Sequence, residues 1–285
     1  VQAIDPGENS RLVFEPTRDG VLSWNTLDAE GLLEFRLLRA HAPATRWLPY
    51  ARWEPGGSTS FSAEGDGVRV EVDAITASQP FDGIEVRALD VDLRLVAFSS
   101  SRACVRSYPN TGVAFILDVP QRSQYVVEGE RGWCSPASVS MVHAFHGIDV
   151  SVEQTAREVF DRAYNGTGNW AFNTAFSGRL GLRGVVAHLG DFHVARNLVE
   201  RNVPVVISYS WAKDELTGAP LEHSAGHLAV LCGFTGNGDC VVNDPAAPRV
   251  RIVYPRAELE QIWQRSGAIA YVIAPNGLDY MSALQ

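Results

Sequence analysis

The stretch 83–98, GIEVRALDVDLRLVAF, alternates apolar and polar side chains with one break near Leu89-Asp90. A period of two puts neighbouring side chains on opposite faces, which an extended strand satisfies and a helix does not. The segment 67–75, GVRVEVDAI, repeats the pattern. Gly20, Gly31, Pro43, Gly56-Gly57, Gly65, Gly67 and Pro80 punctuate the surroundings, so residues 10 to about 100 break into short strands. This half is expected to be an all-β sandwich of seven to nine antiparallel strands. Trp24, Trp47 and Trp53 lie within it. They form either a sugar-binding platform or part of the core and its edges, the second being the commoner use of tryptophan.

From about residue 120 the pattern changes. In SPASVSMVHAFHG (135–147), Ala137, Met141, Ala144 and Phe145 share one helical face, Pro136 suits the first turn and Gly147 the stop. SVEQTAREVFDRA (151–163) opens with a capping-box pattern, Ser151 to Gln154. Further helices are expected after Asn169 and after Asp191. Strands follow at 204–210, 226–234, 239–244 and 250–254, then a short helix near 256–264 and a last strand at 268–273. Helices first and an antiparallel sheet second is an α+β order. The composition breaks near 100–118, so two domains are expected, a β-sandwich accessory domain at 1–112 and an α+β domain at 113–285.

With 46% hydrophobic and 20% charged residues, the chain has the balance of a globular protein. Its net charge of -9 and lack of a basic run make it a poor match to a polyanion, so neither nucleic acid nor an anionic membrane is an expected partner. No apolar run approaches the roughly 20 residues of a membrane span. The chain starts at Val1 rather than Met, which is read as removal of an N-terminal segment such as a signal peptide; the expected location is secreted or cell envelope.

Cys134 stands just before the first helix of the second half, in Trp133-Cys134-Ser135-Pro136. A thiol is nucleophilic as thiolate, and the positive end of a helix favours that form. His227 opens the strand GHLAVLCGF, and Asp244 ends the next one in Asn-Asp-Pro. With a four-residue loop from Thr235 to Gly238, Phe234 faces Asp239 and Ala229 faces Asp244. His227 then shares a face with Ala229 and lies diagonal to Asp244, within side-chain reach. The carboxylate is placed to orient the imidazole, whose other nitrogen meets the thiol. The same register puts Cys232 and Cys240 on opposite faces, where they are not expected to pair. Gln124 is the favoured side-chain donor to a developing oxyanion, with Gln121 a close competitor. No cofactor or metal is expected. There is no CxxC spacing, and the pairs His143/His146 and His223/His227 have no carboxylate or thiol placed to complete a site.

The blocks DVPQRSQYVVEGERGWCSPASVSMV and GHLAVLCGFTGNGDCVVNDPA resemble the C39-like cysteine peptidase family of the papain-like superfamily over about 118–274. The resemblance implies a papain-like cysteine peptidase domain and a Cys-His-Asp triad with a Gln oxyanion donor, roles that fall on Cys134, His227, Asp244 and Gln124. Ser135 departs from the family's usual Gly, and a side chain there is expected to narrow the cleft. Nothing resembles the transporter domains fused to some members, so export-coupled leader cleavage is not implied. The first half is more weakly similar to β-sandwich regions that precede such domains in bacterial extracytoplasmic proteins. The expected function is thiol-dependent hydrolysis of peptide or amide bonds, with a peptide or protein substrate that is cell-envelope associated. The alternatives are an amidase or acyltransferase using the same triad, or a non-catalytic cell-envelope binding module.

Overall fold

The computed structural model describes residues 1–5, 10–28, 30–54, 56–101, 112–129, 132–278 and 280–284. The strands of the first part are β1 (Gln2–Ile4), β2 (Ser10–Thr26), β3 (Gly31–Arg39), β4 (Ala42–Pro43), β5 (Leu48–Trp53), β6 (Thr59–Ser60), β7 (Ala63–Gly65), β8 (Val68–Glu71), β9 (Ala74–Leu89) and β10 (Leu93–Ser99). Those that follow are β11 (Phe115–Ile116), β12 (Leu182–His188), β13 (Val205–Trp211), β14 (Ser224–Phe234), β15 (Cys240–Asn243), β16 (Arg251–Tyr254) and β17 (Ile269–Pro275). The α-helices are α1 (Cys134–Phe145), α2 (Val152–Glu158), α3 (Trp170–Arg179), α4 (Phe192–Glu200) and α5 (Arg256–Arg265). The chain forms two compact units, Val1–Arg102 with Arg157–Ala187, and Ala103–Ala156 with His188–Gln285. The sequence boundary expected near residue 112 borders 102–111, which lie outside the described residues, as does Cys104.

In the first unit ten strands join one antiparallel sheet in the order β1-β10-β2-β9-β3-β5-β6, with β4 on β3 and the β7–β8 hairpin on β9. Ten exceeds the seven to nine expected, because β4 and β6 are two-residue additions that carry no alternation to read. β2 and β9 run for 17 and 16 residues, and their ladder shifts register between Val13 and Thr17 and again before Asp19. The second half of β2 is buried throughout, because α3 covers its outer face. Asn25 fixes that contact: its side chain takes the Gly184 N–H at 2.9 Å and donates to the Gly184 carbonyl at 2.8 Å and the Thr174 carbonyl at 3.2 Å.

The expected helix at 151–163 ends at Glu158, although Ser151 Oγ does accept the Gln154 N–H at 3.1 Å. Asp161 turns the chain instead, its Oδ1 accepting the N–H groups of Ala163 at 3.0 Å, Tyr164 at 3.3 Å and Ser60 at 3.1 Å. A short acidic side chain that bonds nearby N–H groups competes with helix propagation.

The three tryptophans do not form a platform. Trp24 and Trp53 are fully buried and meet each other and Phe172 edge-on or tilted at ring separations of 5.9–6.4 Å. Trp47 instead carries the guanidinium groups of Arg36 and Arg87, 4.7 and 4.4 Å from its ring. Burying the first two serves the core, where a large aromatic ring contributes most.

The second unit is built on the antiparallel order β17-β13-β14-β15-β16, with β11 beside the end of β14. β13 and β14 read as nearly continuous buried runs because helices cover them: α1 and α4 pack on both, and α5 packs on β13. The β14–β15 hairpin departs from the expected register near its turn. Phe234 pairs with Cys240, so five residues rather than four intervene, and the ladder shifts between Leu231 and Gly233. This bulge restores the expected register, with Leu231 opposite Val242 and Val230 opposite Asn243. Cys232, at the bulge, and Cys240 are both free and buried.

Gly233 is required where it stands, because a Cβ there would collide with the Phe115 carbonyl oxygen and lie 2.6 Å from Ile116 Cα. Gly233→Ala is therefore expected to lower stability by about 1–3 kcal/mol, read as a lower urea midpoint. An unchanged midpoint would contradict the close seating of β11 on β14.

Candidate active site

α1 starts at Cys134, directly after Gly132 (φ 81°) and Trp133. Cys134 is buried, with 8% of the residue exposed. The start of β14 brings His227 beside it, close enough for the imidazole and the thiol to act on each other. Ser138, one turn into α1, ties the helix to the same strand, its Oγ donating to the Leu228 carbonyl at 3.1 Å. The hydroxyl of Ser135 is 3.1 Å from Tyr271 Oη and fully buried. Ser135 thus points into the core rather than into the cleft, and the expected narrowing does not occur.

His227 Nε2 lies 2.8 Å from Asp244 Oδ1, and Asp244 is fully buried. With that nitrogen committed, the other ring nitrogen is the one left for the thiol. The structure therefore brings together Cys134, His227 and Asp244 in one line. Trp211 and Tyr209 meet the imidazole edge-on at 5.5 and 5.6 Å. Trp211 is itself pinned through Nε1 to the Leu221 carbonyl at 3.2 Å.

Burial works against the Cys134 thiolate, but the hydrogen bond and charge of His227, with the backbone N–H groups of Leu228 and Ser135, hold the thiol below its ordinary value. Burial also works against the imidazolium; the charge and hydrogen bond of Asp244, joined by Cys134, outweigh it and push His227 up to about 10. Desolvation raises Asp244 too, yet His227, Tyr254 and the Ala246 N–H keep it below the usual carboxylate value. The three groups thus shift in the directions that favour a thiolate–imidazolium pair backed by a carboxylate.

Gln124 is buried and hydrogen-bonds through its backbone N–H to the Pro245 carbonyl at 2.9 Å, next to Asp244. Its side-chain oxygen is buried without a partner among the described residues. Gln121 is exposed, and its side-chain oxygen accepts the Arg251 N–H at 3.1 Å. The segment carrying Gln124 is held by Asn243, which donates to the carbonyls of Val119 at 3.1 Å and Pro120 at 3.2 Å. Arg251 adds a bond to Val119 at 2.7 Å.

His143 is fully buried, and burial, helped by nearby His146 and Arg122, pushes it down to about 3; it is a neutral core residue. His146 Nε2 lies 3.0 Å from the Ile273 carbonyl, and His223 is exposed. No group of three metal-ligating side chains occurs among the described residues.

Tyr209, Trp211 and Tyr254 went unread in the sequence. Tyr209 stands directly opposite His227 in the β13–β14 ladder, and β13 has no motif that marks it.

Residues 116–271, more than half of the chain, match the model of the Peptidase_C39 like family. Among solved structures, one described as a candidate C39-like peptidase from Bacillus anthracis is 21% identical, with a TM-score of 0.45, covering 57% of this chain and 98% of its own. A double glycine motif protease from an AMS/PCAT transporter, in complex with the leader peptide, is 19% identical, with a TM-score of 0.38, covering 56% and 94%. No curated protein matches the chain.

Burial pushes the Cys232 thiol up to about 12 and raises Cys240 further. Near neutral pH, iodoacetamide is therefore expected to alkylate Cys134 faster than either, read by peptide mass spectrometry. His227→Ala is expected to move the pH midpoint of that reaction up toward the ordinary thiol range. Equal labelling of the three cysteines would contradict the ion pair. Stability follows the same pair. The His227 contribution is complete below its unfolded value of 6.5 and is lost as pH rises through about 10.

Proposed function

The chain belongs to the Peptidase_C39 like family, and from that premise we propose that it is a thiol-dependent hydrolase that cleaves peptide or amide bonds through Cys134, His227 and Asp244. The observation that carries this reading is the line of buried side chains at the start of α1: a thiol beside an imidazole that is bonded to a carboxylate. Membership supports a peptidase-type hydrolase, and with it a peptide substrate.

In the proposed reaction the Cys134 thiolate attacks the carbonyl carbon and forms the C–S bond. The electron pair displaced onto oxygen is held by the Gln124 side-chain amide and the backbone N–H of Cys134. The C–N bond breaks as the His227 imidazolium gives its proton to the leaving amine. Neutral His227 then takes a proton from water, whose oxygen attacks the thioester; the acid leaves and the thiolate–imidazolium pair re-forms. Asp244 orients the ring in both halves and keeps its charge throughout. Shielding of the imidazole by Trp211 keeps bulk water from competing for the His227–Asp244 bond.

The papain-like hydrolase segment is proposed as 113–285, supported by the family match over 116–271. Residues 1–112 are proposed as a β-sandwich accessory region, whose long bulged strands β2 and β9 suit chains that pass from one layer to the other. A secreted or cell-envelope location and an envelope-associated substrate complete the proposal. Among the described residues no helix is long and apolar enough to cross a membrane.

The test is hydrolysis of an internally quenched peptide library by the full chain. Cys134→Ala and His227→Ala are expected to lose roughly 10³-fold or more in kcat/KM with the fold intact. Asp244→Asn is expected to retain roughly a hundredfold more activity than Cys134→Ala. Undiminished cleavage by purified Cys134→Ala would overturn the assignment.

A further inference from the structure

Asp244 receives four hydrogen bonds. Oδ1 takes His227 Nε2 at 2.8 Å and the Ala246 N–H at 2.9 Å; Oδ2 takes Tyr254 Oη at 2.7 Å and Tyr209 Oη at 3.3 Å. The two phenols come from opposite sides of the hairpin, Tyr209 from β13 and Tyr254 from β16. Both side chains are essentially inaccessible to solvent. We infer that Tyr209 and Tyr254 are positioning residues of the site, their phenol O–H groups holding one oxygen of Asp244 so that the other is left to His227. The inference rests on the reading of Cys134, His227 and Asp244 as the catalytic line.

A carboxylate with no exposed surface keeps its charge only if its lone pairs are bonded. A second cation beside it would compete with the imidazolium for the same charge. Neutral donors satisfy Oδ2 while leaving His227 as the ion that Asp244 sees. Burial first, then the Asp244 charge, raises both phenols well above their ordinary value, so they remain O–H donors across the working pH range. The other groups around the carboxylate are accounted for. His227 faces it from β14, Cys134 from α1 stands behind the imidazole, and Arg251 of β16 is spent on Asn243 Oδ1 at 3.0 Å and the Val119 carbonyl. Tyr209 also meets the His227 ring edge-on, so it touches both members of the pair that it aligns.

The experiment uses the full chain with ¹³C-labelled aspartate, the Asp244 ¹³Cγ resonance being identified by its loss in Asp244→Asn. In the wild type that resonance is expected to hold its carboxylate position from about pH 7 down to about pH 4, below which an ordinary aspartate protonates. Tyr254→Phe is expected to raise the midpoint by about one unit, and Tyr209→Phe/Tyr254→Phe by more, bringing titration into that window. Each single variant is also expected to lose about tenfold in kcat/KM on the cleaved peptide. In an Asp244→Asn background the same phenylalanine changes are expected to have little further effect, which a merely structural role would not produce. An unmoved midpoint in a folded Tyr254→Phe variant overturns the inference, as does an equal activity loss in the two backgrounds. The titration needs no turnover, so failure of the wild type to hydrolyse any peptide would strike the functional reading and not the coupling of the phenols to Asp244.

Discussion

The charge of one carboxylate with no contact to water sets the demands on the rest of the site. Asp244 is stable as an anion only because every approach to it ends in a donor: an imidazole, two phenols and a backbone N–H. Losing one partner of such a buried group is costly, since the remaining charge keeps its desolvation penalty. The same charge raises His227 and so favours its imidazolium, and His227 in turn lowers Cys134 and favours its thiolate. Thiol, imidazole and carboxylate are therefore one electrostatic object. Its polarity is set by these mutual charges and hydrogen bonds, which outweigh the burial that opposes each charge.

Three structural devices deliver these groups to one point. The start of α1 presents the thiol where backbone N–H groups are free of helix partners. The β14–β15 hairpin sets His227 and Asp244 on a common face. The segment 115–124 is laid along the end of β14 and fastened by Asn243 and Arg251, which brings Gln124 next to Pro245. Gly233 links the last two devices, because β11 crosses β14 where no side chain fits.

Much of this was legible in the sequence. The α1 start followed from Cys134 and Pro136, and the helices after Asn169 and Asp191 begin at caps that bond as their residue types imply. The His227–Asp244 pairing followed from strand parity although the turn is one residue longer than expected. The bulge at Cys232 absorbs the extra residue, so the two errors in the hairpin cancel at its far end. Other features were hidden for a physical reason. Tyr209 and Tyr254 act through distances set by two neighbouring strands, and β-ladder partners leave no mark in local pattern. β12 was unread because LRGVVAH is a short apolar run beside a helix end. The attachment of 157–187 to the first unit depends on Asn25 and Asp161, polar residues whose partners lie far off in sequence. That Gln124 is buried beside Pro245 while Gln121 lies at the surface against Arg251 depends on how Asn243 and Arg251 fasten the segment, which no local pattern records.

The charge state of His227 is the quantity on which the account turns. Nitrogen NMR of the histidine rings in the full chain, with His227 identified by its loss in His227→Ala, reads it directly. Both ring nitrogens of His227 are expected to remain protonated at pH 8, held by Asp244 on one side and the Cys134 thiolate on the other. A neutral ring that titrates at the ordinary histidine value of about 6.5 would contradict the ion pair and the mechanism built on it.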